Sequence, residues 1–137
     1  MSEPLRLAVL TLAVLAAFST GIAVGQRSAP HDDQSVEQTL LATIDLAKAV
    51  NDLGNRELRL SRVTIAPDGY IGLHSHKNDP TVVYLISGVL TNYHDNGTTE
   101  EVHAWQAFAE FGRKSRWVEN RASAPATFVF ASVSARQ

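Results

Sequence analysis

A chain of 137 residues with 12 Lys plus Arg against 14 Asp plus Glu has the length of one domain and no broad basic field to track a phosphate backbone, so nucleic acid is not an expected partner. The absence of cysteine excludes a disulfide framework, a catalytic thiol and every thiolate metal site. With 45% hydrophobic and 19% charged residues, the chain lies well above the range of disordered sequences.

Part of that apolar content sits at the start. Residues 7–18 (LAVLTLAVLAAF) are uncharged, follow a short region carrying Arg6, and lead to Ala23-Val24-Gly25, small residues where a signal peptidase reads. The expectation is a signal peptide over residues 1–25. The alternative is an uncleaved anchor, because residues 7–25 could just span a bilayer and would then be the only membrane contact. Either way the domain is expected outside the cytoplasm, in the periplasm or beyond if the host is a Gram-negative bacterium. Residues 26–38 (QRSAPHDDQSVEQ) are polar and aperiodic and read as a linker or arm, with His31-Asp32-Asp33 solvated.

From residue 39 to 137 short strands alternate with turn signals, the pattern of an all-β sandwich or barrel. Strands are expected at 39–46 and 58–65, the latter closed by a turn at Ala66-Pro67-Asp68-Gly69. Residues 81–87 (TVVYLIS) are β-branched and aromatic on both faces, which predicts a buried central strand. Strands at 89–93 and 99–103 flank Asp95-Asn96-Gly97, whose Asn-Gly is a strong hairpin signal. Further strands are expected at 107–110, 116–119 and 126–134. Residues 45–53 (DLAKAVNDL) suit a helical turn or two, and no helix longer than about three turns is expected.

The chemistry concentrates in Gly72-Leu73-His74-Ser75-His76. Residues two apart on a strand share a face, so His74 and His76 present two imidazoles side by side. Asp68 precedes His74 by six positions, four residues separate His76 from Thr81, and six separate Thr81 from Gly88. This spacing resembles the first motif of the cupin family: Gly, five residues, His-x-His, three or four residues, Glu, six residues, Gly. Arg116-Trp117-Val118-Glu119-Asn120 resembles the second, which ends in His, three residues, Asn. The resemblance covers residues 39–135 and implies a cupin-type double-stranded β-helix, or jelly-roll barrel, often paired as a homodimer.

Three positions depart from the family pattern. Asp68 stands for the first Gly, Thr81 for the metal-binding Glu, and Arg116 for the third His, so only His74 and His76 remain of the four ligands the resemblance implies. Two function classes follow. In the first, the barrel holds a small, anionic metabolite such as a carboxylate without a complete metal site, through His74, His76, Arg116, Thr81 and Trp117; the guanidinium fork of Arg116 matches two carboxylate oxygens. In the second, it is a metal-dependent enzyme of the small-molecule oxygenase or isomerase type. Glu110 then joins His74 and His76 around a divalent transition metal. The alternative for Glu110 is an ion pair with Arg113 or Arg116. His94 and His103 bracket the Asn-Gly hairpin, where facing each other would make a second, solvent-facing pair. Trp105 and Trp117 are either core or pocket lining, and Tyr84, Phe108, Phe128 and Phe130 are expected in the core.

Overall fold

The computed structural model describes residues 27–136, so the expected signal segment at residues 1–25 lies outside the described residues. Eight strands run in chain order: β1 (Gln34–Asp45), β2 (Arg56–Ser75), β3 (Thr81–Ser87), β4 (Val89–His94), β5 (Thr99–His103), β6 (Ala107–Glu110), β7 (Ser115–Glu119) and β8 (Ala126–Ala135). The one helix among the described residues, α1 (Leu46–Ala49), is a single turn capped by Asp45, whose side chain accepts from the Ala47 amide. All pairings are antiparallel, in the order β5-β4-β7-β2-β8-β3-β6 with β1 beside β2.

The architecture turns on β2. Its first half, Arg56 to Ile65, pairs with β8, and its second half, Tyr70 to Ser75, pairs with β7. The expected turn at Ala66-Pro67-Asp68-Gly69 is therefore a corner inside one 20-residue strand, at which the curled sheet bends from its β8-paired part to its β7-paired part. Asp68 takes φ +59, a left-handed conformation that Asp tolerates, where the cupin motif has Gly. A Cβ on Gly69 would lie 2.9 Å from the Ala66 and Gln34 carbonyl oxygens, so this position excludes a side chain. The corner is stapled to the end of β7 by Asp68 N to Asn120 O and Asn120 N to Gly69 O, both 2.9 Å.

Inside the curl of the sheet lie Val63, Ile65, Val83, Leu85, Leu90, Val102, Val118, Ala126 and Phe128. Burying side chains of this size contributes about 1.5–3 kcal/mol each. Leu85 is fully buried at the centre, and Leu85→Ala is expected to cost about 3–5 kcal/mol, read as a fall in the urea midpoint at unchanged m-value.

Three strand expectations need correction. β1 starts at Gln34 rather than at residue 39, inside the segment read as a linker. The pairings Val36 to Ile65 and Gln38 to Val63 show why: an edge strand gains its backbone bonds whatever the polarity of its solvent-side residues. The residues before it are also fixed, since Leu73 N donates to Pro30 O (2.7 Å) and Gly72 N to Asp33 Oδ1 (2.8 Å). β3 is buried on one face only: Thr81, Val83 and Leu85 point inward while Val82 is 57%, Tyr84 39% and Ile86 37% exposed. The hairpin forms as expected, with Gly97 at φ +81. However, His103 pairs with Val89 at the far end, and His94 and His103 lie beside Glu100 and Glu101 rather than facing each other.

Candidate metal centre

His74 and His76 lie in and just after the second half of β2, Thr81 opens β3 and Glu110 ends β6. All four line one partly open cavity of about 150 Å³. Thr81 and Glu110 are direct cross-strand partners, and such partners share a face with their Cβ atoms about 5 Å apart. A carboxylate missing from position 81 thus reaches the same corner from the neighbouring strand. One ligand atom each from His74, His76 and Glu110 falls within 4.8 Å of the others.

Hydrogen bonds orient both imidazoles. His74 Nδ1 lies 2.8 Å from the Gly72 carbonyl, and a carbonyl only accepts, so Nδ1 carries the hydrogen and Nε2 keeps a free lone pair. His76 Nδ1 lies 3.1 Å from Asp79 O and 3.0 Å from Thr81 Oγ1, whose own hydrogen goes to Asp79 O at 2.8 Å. Nδ1 of His76 is therefore also the donor, and Nε2 faces the site. That Nε2 stands 2.7 Å from Glu110 Oε2, yet the approach is out of line for a hydrogen bond, and the buried nitrogen has no hydrogen-bond partner. The contact is a charge pairing around a shared position, and this is the arrangement that a bound cation between the two atoms would use.

Glu110 is 5% exposed in its side chain. Burial pushes its carboxyl up, but the His76 contact and the Arg116 charge together outweigh that and hold it below the ordinary carboxylate value. The Glu110 carboxylate raises His76 above the ordinary imidazole value against the opposing effect of burial. The other oxygen of Glu110, Oε1, accepts from an Arg116 guanidinium nitrogen at 3.0 Å. Arg116 pairs across the strands with His74, as the motif spacing implies, but it does not line the cavity. The Arg116–Glu110 ion pair, the alternative named for Glu110 from the sequence, leaves Glu110 Oε2 turned to His76.

Of the two expectations for Trp117, core and pocket lining, the structure has the first: the side chain is buried. It alternates with Arg116 and Val118 along β7 and faces away from the cavity, stacked on Tyr93 at 3.8 Å between ring centroids. Tyr93 donates to Glu119 Oε2 at 2.9 Å, and Arg27 donates to Glu119 Oε1. Burial first, and then the Glu119 contact, raise the Tyr93 hydroxyl pKa. Thr81 lines the cavity as expected, but its hydroxyl is engaged with Asp79 and His76. Phe108, Phe128 and Phe130 were expected only to fill the core; they form the apolar wall of the cavity. The sequence carried no signal for the orienting roles of the Gly72 and Asp79 carbonyls, because a backbone acceptor has no residue signature.

No protein-family model and no curated protein matches the sequence. Solved structures do. The cupin domain of Schizosaccharomyces pombe Cnp3 superposes with a TM-score of 0.58 at 10% identity, over 74% of this chain and 66% of that one. A predicted oxalate decarboxylase from Thermotoga maritima gives 0.59 at 17%, over 77% and 93%. The polyketide cyclase RemF from Streptomyces resistomycificus gives 0.60 at 19%, over 76% and 68%. At such identities the likeness speaks for fold and not for function, and together with the strand order and the corner in β2 it identifies the chain as a cupin-type β-barrel.

Proposed function

We propose that this protein is a metal-dependent cupin that holds a divalent transition metal on His74, His76 and Glu110 and presents it to a small molecule in the adjoining cavity. The observation that carries this reading is the convergence of one ring nitrogen from each of His74 and His76 and one carboxylate oxygen within 4.8 Å, a two-imidazole, one-carboxylate set that leaves coordination positions open. When bound, such a metal supplies Lewis-acid polarisation of an oxygen ligand. The chain's own part is to fix the tautomers through Gly72 and Asp79, to aim Glu110 through Arg116 and to keep the wall of the cavity apolar. The test is titration of the purified protein with Mn(II), Fe(II), Co(II) and Zn(II) followed by elemental analysis. One equivalent bound by the wild type and lost in a His74→Ala, His76→Ala variant is the expected result; no stoichiometric uptake of any of the four ions overturns the proposal.

Arg116 acts in this reading as a positioning residue. Arg116→Ala frees Glu110 to rotate and is expected to weaken metal binding about 10–100-fold, the usual effect of losing an outer contact to a ligand. Isothermal titration reads this directly, and Arg116→Lys should restore part of the loss.

Pairing of two copies is the accompanying expectation. Ala109, Val82, Ala131, Leu60 and Ala42 are successive cross-strand partners over β6, β3, β8, β2 and β1, an uncharged row on the outer sheet face in which Val82 and Leu60 are exposed. A face this broad and apolar favours sheet-on-sheet burial against its own twofold copy. Val82→Asp is expected to yield a monomer in sedimentation at tens of micromolar, where the wild type runs as a dimer. Export of the chain is supported by residues 7–25, and N-terminal sequencing of the exported protein checks it.

A further inference from the structure

The polar and apolar parts of the cavity are segregated, and the segregation points to a ligand class. Apart from Gln38, every polar residue of the lining (His74, His76, Thr81 and Glu110) belongs to the candidate metal centre. The remainder is Ile71, Val83, Leu90, Val118 and three phenylalanines, Phe108, Phe128 and Phe130, none of which offers a side-chain donor or acceptor. A polyhydroxylated ligand entering this space would leave its hydroxyls unpartnered, which costs more than the contacts return. An apolar body loses nothing by entering. The volume of about 150 Å³ accommodates about six to nine non-hydrogen atoms, since an apolar cavity of that order takes up a benzene ring.

Charge fixes the other end of the ligand. A divalent ion with the Glu110 carboxylate and the Arg116 guanidinium beside it leaves the centre at about +2, which attracts an anionic head; a second carboxylate is disfavoured by the apolar lining it would have to enter and not by this charge. The rim carries the same sign. Gly112 N donates to His76 O at 3.1 Å, which ties the β6–β7 turn, with exposed Arg113 and Lys114, to the segment bearing exposed Lys77. These three cations outnumber the two carboxylates of the neighbouring turns, Asp79 and Asp95, in a chain whose net charge is −2, so this part of the surface is locally more basic than the rest of the molecule and attracts anions.

Resting on the metal reading above, we infer that the site selects a small monoanion with an apolar body, a carboxylate on a short aliphatic chain or a single ring, over dicarboxylates and sugar acids. The probes are hexanoate, benzoate, acetate, oxalate and glucuronate, and the reporter is the visible absorption of the Co(II)-loaded protein together with calorimetry. Co(II) uptake without any organic ligand is measured first, which separates the two claims. Hexanoate is expected to bind on the order of a hundredfold more tightly than acetate, at roughly fourfold per buried methylene, with benzoate similar and glucuronate absent. Val83→Phe fills the cavity and is expected to keep one Co(II) while losing at least about tenfold in benzoate affinity. Phe108→Ala, which widens the cavity and serves if Val83→Phe does not fold, is expected to gain affinity for 2-naphthoate relative to benzoate. Oxalate or glucuronate binding more tightly than hexanoate, or neither variant changing the preference, overturns the inference while Co(II) uptake stands. Absence of Co(II) uptake overturns the metal reading and this inference with it.

Discussion

Glu110→Gln is expected to reduce divalent-metal affinity by more than the roughly 10–100-fold that accompanies loss of a supporting contact, because it removes the one anionic ligand of the set. The amide keeps the shape of the carboxylate, so the change isolates the charge. It also leaves the Arg116 and His76 side chains, 11% and 19% exposed, facing each other without a counter-ion. Breaking a buried pair in this way costs about 3–5 kcal/mol, and the lower end applies here because His76 can release its proton. Metal analysis and thermal unfolding in chelator read the two effects separately. If Glu110→Gln retained one metal per chain at wild-type affinity, Glu110 would be a partner of Arg116 and nothing more.

The same pair gives the metal-free protein a pH signature. His76 is raised above its ordinary 6.5, so its share of stability is full below that value and is lost as pH rises through the folded-state pKa. Glu110 is lowered below its ordinary 4.5; its share is present above 4.5 and is lost as pH falls through the folded-state pKa. The two contributions coexist between 4.5 and 6.5. Metal-free wild type is therefore expected to be most stabilised by this pair near pH 5–6, and Glu110→Gln to flatten the difference between pH 5.5 and pH 8. Equal pH dependence of unfolding in the two proteins would remove the pair from the account.

The strand ladder was legible because its signals are local. Asn96-Gly97 demands positive φ, the β-branched run of residues 81–87 demands extension, and His74 with His76 needs only period two to share a face. What the sequence could not carry was long-range. Glu110 is legible as a candidate beside His74 and His76, but that it reaches them from the corner at Thr81 while also pairing with Arg116 depends on the β3–β6 register, and no spacing along the chain encodes which residue lies opposite another across two intervening strands. The outward turn of Trp117 has the same origin, since alternation fixes that Trp117 opposes Arg116 but not which of them faces inward. β1 begins earlier than its composition implies for a different reason. Composition reports burial, and a strand whose residues are mostly exposed is held by backbone pairing that composition does not register.

Asn120→Ala is expected to destabilise the fold by about 3 kcal/mol or more without touching the metal centre. Asn120 is fully buried and uses every polar atom of its side chain: Nδ2 donates to Ile65 O and to Ala124 O at 2.9 Å each, and Oδ1 accepts from Ala122 N at 3.0 Å. Its backbone completes the staple that holds the corner of β2 to the end of β7. Alanine takes this partner from the carbonyls of Ile65 and Ala124 and from the Ala122 amide, and each such loss costs about 1 kcal/mol or more. For a domain of this size the midpoint should fall by roughly 10–15 °C. Asn120→Asp should be worse, because it keeps the acceptor but aims a buried carboxylate at two carbonyl oxygens. His74 sits at the other end of the β2–β7 pairing, opposite Arg116, while Asn120 closes the Tyr70–Glu119 end, so the folded fraction of Asn120→Ala should bind metal with wild-type affinity. An unchanged midpoint with weakened metal binding would reverse the assignment and place Asn120 in the site rather than in the frame that carries it.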